Sequence, residues 1–214
     1  PQNRKEPVTA HSPGSAAAGK TKVSDGSSLM VRRSFTAGAL PSRGRSVAST
    51  VAPEDDVMVC DDLGDEWADF IGFRTDPASP RITFYHAKHG ELTLGAGAFH
   101  VSVSQAIKNL GKLNLHAPAM SKPFARWSRL DTNDRVKTSI HRTCRGTPAD
   151  SRTAVDFCRN APHTFKRVAI VTSSLSKAAV EQAFEDIKAG HTASPYFVQL
   201  YWLLSSFFAA CTEV

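Results

Sequence analysis

Residues 67–90 read WADFIGFRTDPASPRITFYHAKHG. Two apolar runs, WADFIGF and ITFYHA, flank Thr75-Asp76-Pro77-Ala78-Ser79-Pro80, where two prolines remove backbone donors and block a helix. Aromatic and β-branched residues dominate the runs, so each reads as a strand. Side chains alternate along a strand, which puts Ile82, Phe84, His86 and Lys88 on one face, and Trp67, Asp69 and Ile71 on one face of their own strand. If those faces pair, Asp69, His86 and Lys88 converge beside an acidic turn carrying Asp61, Asp62, Asp65 and Glu66. The competing reading is a hairpin end whose polar residues simply reach solvent.

Upstream, VMVC at 57–60 reads as a short buried strand ending in Asp61-Asp62. Three strands joined by short turns predict an antiparallel meander rather than βαβ units. Between Ala98 and Leu110 the period changes: Phe99, Val103, Ala106, Ile107 and Leu110 recur at helical spacing, and Gly111 can end the helix. Residues 112–165 are polar, basic and cut by four prolines, with only a short helix near Phe124 to Leu130 to be placed. RVAIVT at 167–172 has the continuous apolar run of a fully buried strand, and Ser174 or Ser176 then caps a helix through Lys188. The expected fold is α/β, a mixed sheet made of the meander plus a further strand, flanked by helices.

Charge is segregated along the chain. The first 50 residues hold eight Lys or Arg and two acids among many Ser, Gly, Pro and Ala. Such a segment buries too little surface to offset chain entropy, so 1–53 reads as a disordered basic arm and 54–214 as the folded domain. Residues 54–76 carry nine acids against one Arg, and 77–167 carry fifteen Lys or Arg against five acids. Carboxylates that hold a divalent cation, surrounded by cations that hold phosphates, produce this arrangement, and so does a solvated surface whose charges segregate by chance.

Cys60, Cys144, Cys158 and Cys211 show no tight pairing, and nothing at the amino end resembles a signal peptide, which points to a reduced, cytoplasmic setting. The final run PYFVQLYWLLSSFFAAC, 195–211, contains Gln199, Ser205 and Ser206; it is short for a membrane span and reads as a buried or partner-packed helix. The chain starts at Pro1 and stops directly after this run, as a piece of a longer protein truncated at its C-terminal end would.

Two formal motifs need weighing. Gly14-Ser-Ala-Ala-Ala-Gly19-Lys20-Thr21 fits the phosphate-loop pattern, but its flanks PVTAHSP and KVSDGSS supply neither the strand nor the helix that such a loop requires, even with VMVCDD as an acid-tipped strand. His141, Cys144, Cys158 and His163 are zinc-type ligands without the usual finger spacing.

Metal-assisted phosphodiester hydrolysis uses carboxylates to hold Mg²⁺ or Mn²⁺ and a Lys to orient water and offset developing charge. An acid, a turn, the A-D-F-I strand, an apolar strand ending in A-K and a helix carrying Gln105 together resemble the PD-(D/E)xK nuclease superfamily, over roughly 57–111 and the strand and helix at 167–188. CDDLGDEWADFI, ITFYHAK and SQAIKNLG also resemble uncharacterised regions of bacterial helicase-associated restriction and defence proteins. The resemblance implies a restriction-endonuclease-like domain that cuts DNA, joined to further domains such as a helicase; the short run at 195–211 argues against a membrane anchor. It makes Asp69 the first metal-binding Asp, Glu66 or Asp62 the upstream acid, Lys88 the catalytic Lys and Gln105 the helix Gln. Two positions depart: His86 stands where the family has an acid two residues before Lys, and Asn109 stands where a Tyr follows Gln105. His86 can bind a metal or act as a base, whereas a hard cation prefers oxygen. An active metallonuclease and a degenerate nucleic-acid-binding module both follow, with Gln105, Lys108, Lys112, Arg126 and Arg129 as phosphate contacts, Lys108 and Lys112 four apart on one side of the helix, Arg135, Lys137, Arg142 and Arg145 continuing the basic surface, and Trp127 as either a base-stacking or a packing residue.

Overall fold

A computed structural model describes residues 51–62, 65–133 and 136–213, with the backbone alone at 133 and 136–138. Strands β1 (Val57–Cys60), β2 (Phe70–Arg74) and β3 (Arg81–Lys88) form the antiparallel meander that the two apolar runs predict. β7 (Phe165–Thr172) pairs parallel to β3 from Arg81↔Phe165 to Lys88↔Thr172, and β6 (Thr143–Arg145) pairs antiparallel to β1 on the other side. The result is a five-stranded mixed sheet in the order β6-β1-β2-β3-β7. β4 (Leu130–Asn133) and β5 (Val136–His141) make a separate hairpin.

β2 starts at Phe70 rather than at Trp67. The Trp67 N–H is taken by Asp61 Oδ2 at 2.8 Å, which bends the chain before it joins the ladder. Beyond that bend alternation holds. Val57, Val59, Ile71, Phe73, Ile82 and Phe84 face one way, against Leu110, Leu113, Met120, Trp127 and the helix that carries Ala154, Val155 and Cys158. Each large apolar side chain fully buried in this way contributes about 1.5–3 kcal/mol. Met58, Phe70 and Tyr85 face the other way, with Ala169 and Val171, and are covered by Val51 and Ala52. Packing therefore begins no later than Val51, a little before the expected boundary at 54; the rest of the basic arm, with the phosphate-loop match at 14–21, lies outside the described residues.

Helix α1 (Gly97–Asn109) buries Phe99, Val103 and Ala106 as its periodicity predicts, and continues as a 3₁₀ segment, Leu110–Asn114. α2 (Ser121–Trp127) ends earlier than the expected helix, at the buried Trp127. The region 112–165 is more ordered than its prolines suggest. Pro148 opens α3 (Pro148–Asn160) at a position where its missing N–H costs nothing, behind a capping box of Thr147 and Asp150. α4 (Lys177–Lys188) is capped by Ser176 and has no fully buried residue. α5 (Pro195–Thr212) buries Phe197, Leu200 and Phe207 in a cluster with Phe99, Val103 and Ile170. Among the described residues, no helix is long and apolar enough to cross a membrane.

All four cysteines are free thiols. The zinc-type residues have separate surroundings: the Cys158 thiol lies 3.7 Å from the Arg74 and Arg81 carbonyls, His163 Nε2 lies 3.0 Å from the Pro77 carbonyl, and Cys144 sits on β6.

Candidate active site

The β2–β3 register fixes the geometry. One step beyond the Phe70↔Tyr85 rung, Asp69 lies opposite His86, on the face that also carries Ile71 and Phe84. Asp69 Oδ2 accepts a 2.7 Å hydrogen bond from the Ala87 backbone N–H, between His86 and Lys88. The Asp69 carboxyl is pushed up to about 6, first by burial and then by the charges of Asp62 and Glu66. Glu66 is held from α1: Gln105 Nε2 donates to Glu66 Oε1 and Asn109 Nδ2 donates to the Glu66 carbonyl, each at 3.2 Å. Gln105 and Asn109 are one helical turn apart, so Asn109 works beside Gln105. That i,i+4 spacing was the available signal for it.

His86 is buried, its Nε2 has no hydrogen-bond partner among the described residues, and burial holds its pKa down at about 4. Its imidazole is neutral near pH 7. A base of that strength, shut off from solvent, does not suit proton abstraction; a neutral nitrogen beside Asp69 suits a ligand or a packing role. Lys88 ends β3, and its side chain is exposed.

The other expected residues divide. Asp62 is exposed, and its carbonyl accepts from Arg142 Nη1 at 3.2 Å. Lys108 and Lys112 are exposed, but the change from α-helix to 3₁₀ after Asn109 removes the continuous helical face expected to align them. Lys112 Nζ lies 5.5 Å from the Trp67 ring centroid. Arg129 is exposed. Arg126 is committed elsewhere: Nε and Nη2 donate to Asp61 Oδ1 at 3.1 and 2.8 Å, and Nη1 donates to the Asp65 carbonyl. Trp127 is a core residue, its indole N–H donating to Asp61 Oδ1 at 2.8 Å and its ring packed edgewise against Phe73 and Phe124. Arg142 is buried and ion-paired to Asp131, and Arg145 donates to the Ala52 and Asp55 carbonyls. Arg135 and the Lys137 side chain lie outside the described residues.

No family model, curated protein or solved structure matches this chain. The chemistry of the site therefore rests on its own donor set. Among the described residues, no three His, Cys, Asp or Glu side chains gather as a ready metal cage. What the site offers is two or three carboxylates whose mutual repulsion and burial disfavour ionisation of Asp69. That set fits a hard divalent cation that keeps several of its waters and takes one or two carboxylates from the protein.

On the opposite sheet face lies a polar network that sequence reasoning missed. Asp55 accepts from Tyr85 Oη at 2.6 Å and from Arg81 Nη2 at 3.0 Å, while Arg167 Nη2 donates to Tyr85 Oη at 2.9 Å. It seats the 51–56 segment on the sheet and so holds β3 beneath the site. Alternation hints at it: Tyr85 and Arg81 fall on the face away from Phe84.

Proposed function

We propose that this chain is a metal-dependent DNA nuclease domain of restriction-endonuclease-like fold within a larger restriction, defence or repair protein. The observation that carries the reading is the hydrogen bond that holds Asp69 against the end of β3, with its carboxyl raised first by burial and then by the charges of Asp62 and Glu66. A meander with a further strand parallel to β3 agrees with the fold that the resemblance implies. Asp69 and Glu66, with Asp62 at the rim, would hold Mg²⁺ or Mn²⁺. Bound there, the cation would polarise the phosphate and lower the pKa of water. Gln105 and Asn109 keep Glu66 from swinging away, and the Ala87 N–H fixes the Asp69 carboxylate. Lys88 at the strand end orients the attacking water and offsets the charge that develops on the phosphate as its P–O bond to the leaving sugar oxygen breaks. The test is metal dependence: the purified chain nicks plasmid DNA with Mg²⁺ or Mn²⁺ and not with chelator.

His86 favours a second reading, a domain that has lost cleavage and binds DNA. It predicts salt-sensitive DNA binding with no cleavage under any divalent cation. A nucleotide-hydrolysing fragment has less support, because Asp61, its would-be magnesium ligand, is wholly buried and accepts four hydrogen bonds.

A further inference from the structure

α5 carries no charged side chain from Pro195 to Thr212. One side of it is committed to the core, with Phe197, Leu200 and Phe207 buried against α1 and β7. The opposite side is open. Val198, Tyr201 and Trp202 are 39, 50 and 66% exposed, and Ala209 is exposed two turns further on. α4 lies alongside: the Phe184 ring stands edge-on to Phe197 and Tyr201, with centroids 5.1 and 6.1 Å apart, while Phe184 and Ile187 each stay more than a third exposed. A helix side that faces water normally carries charge, and a helix that is apolar all round is covered.

The chemistry of this face selects its partner. No Lys or Arg follows Lys188, so phosphates, of DNA or of lipid, meet no cation there. Two copies repel through residues 77–167, with fifteen Lys or Arg against five acids, and least through this face, where Lys177 pairs with Glu181 and Lys188 with Glu185. Val198, Trp202, Ser205 and Ala209 follow at spacings of four, three and four, the seam of a helix pair, with bulk in its first half and small residues in its second. An antiparallel pair about a two-fold axis sets the large half of each seam on the small half of the other, and so makes the face self-complementary. Its exposed apolar side chains offer on the order of 500 Å² per copy. With its polar rim the face approaches the roughly 800 Å² per partner of a specific interface. We infer that this face joins two copies of the chain through antiparallel α5 helices. The pairing stands whether or not the domain cuts DNA.

The test is sedimentation velocity of the full chain over a concentration series, with two variants at exposed positions. Trp202→Glu puts a charge on the face, and Ala209→Trp adds apolar bulk to its small half; neither touches the core, so both keep the circular dichroism of the wild type. The wild type is expected to dimerise with a Kd of about 10 μM or tighter, and each variant to weaken association at least tenfold. Ala209→Trp separates a fixed pairing from mere stickiness, because it enlarges an apolar patch while obstructing the other helix. A wild type that is monomeric at about ten times that concentration overturns the dimer, and its sedimentation with neutral phosphatidylcholine vesicles would assign the face to a membrane instead. Association that Trp202→Glu leaves intact puts the contact elsewhere, and association that Ala209→Trp strengthens overturns the antiparallel pairing.

Discussion

The Asp69 carboxylate accepts the Ala87 backbone N–H at 2.7 Å, and through that bond the first candidate metal ligand is tied to the strand that delivers Lys88. The same carboxylate is raised to about 6 by burial and by Asp62 and Glu66.

Asp69→Asn is therefore expected to stabilise the metal-free protein. The folded state holds the Asp69 proton up to about pH 6, whereas the unfolded chain releases it near 3.8, so the wild type loses stability as pH rises between these values. The loss is up to about 3 kcal/mol above pH 6. Asn keeps an oxygen for the Ala87 N–H and has nothing to ionise. Urea unfolding in chelator should find the variant more stable than wild type at pH 8 and equal to it below about pH 4. Equal stability at both pH values contradicts an Asp69 carboxyl raised by burial and by its acidic neighbours.

A bound cation would offset the cost of ionising Asp69. Mg²⁺ or Mn²⁺ at millimolar concentration should raise the melting temperature of the wild type at pH 7.5, as any ligand specific to the folded state does. Asp69→Asn should respond much less. An equal rise in both proteins would place the cation somewhere other than Asp69.

His86→Glu installs the acid that the resemblance to the PD-(D/E)xK superfamily implies at this position. A second buried carboxylate opposite Asp69 should destabilise the metal-free protein by about 2 kcal/mol or more at pH 7.5, and divalent cation should recover most of that loss. Thermal melts with and without Mg²⁺ read both effects. A loss that no cation recovers would mean that the His86 side chain does not face the metal.

Asp61→Ala separates architecture from chemistry. Asp61 is fully buried and takes N–H donors from Trp67, Trp127 and Arg126, so its removal strands a partly buried guanidinium and costs about 3–5 kcal/mol. Denaturant unfolding should show a loss of stability, opposite in sign to the gain expected of Asp69→Asn at pH 8; unchanged stability would contradict the structural role.

Gly72→Ala should destabilise as well. A Cβ at Gly72 would stand 2.0 Å from Asp55 Oδ2 and 2.9 Å from the Tyr85 ring, so the 51–56 segment has to lift from the sheet at a cost of about 1–3 kcal/mol or more. A melting temperature within a degree of wild type would show that this segment does not brace β3.

Residues with a period and a face were legible in the sequence. Alternation placed Asp69, His86 and Lys88 on one side of the meander, and helical spacing found α1 with Gln105. Residues whose role depends on a distant partner were not. Asp61 read only as an acid at a strand end beside the candidate site, although Arg126 and Trp127, more than 60 positions away, close over it. The same closure removed Arg126 and Trp127 from the expected DNA surface. Pro148 was read as a break where it starts a helix, because position within the first turn decides which of the two a proline does. β6 is three residues long and carries no pattern; only its pairing with β1 makes it a strand.

Cleavage of supercoiled plasmid by the wild type, Lys88→Ala and Asp69→Asn, each with Mg²⁺, with Mn²⁺ and with chelator, separates a nuclease from a binding module. Lys88 is exposed at the end of β3, so its truncation should leave the melting temperature unchanged. The expected result is metal-dependent nicking by the wild type that falls at least a hundredfold in both folded variants. Nicking that persists in both variants, or a folded wild type that binds DNA and never cuts it, contradicts the account.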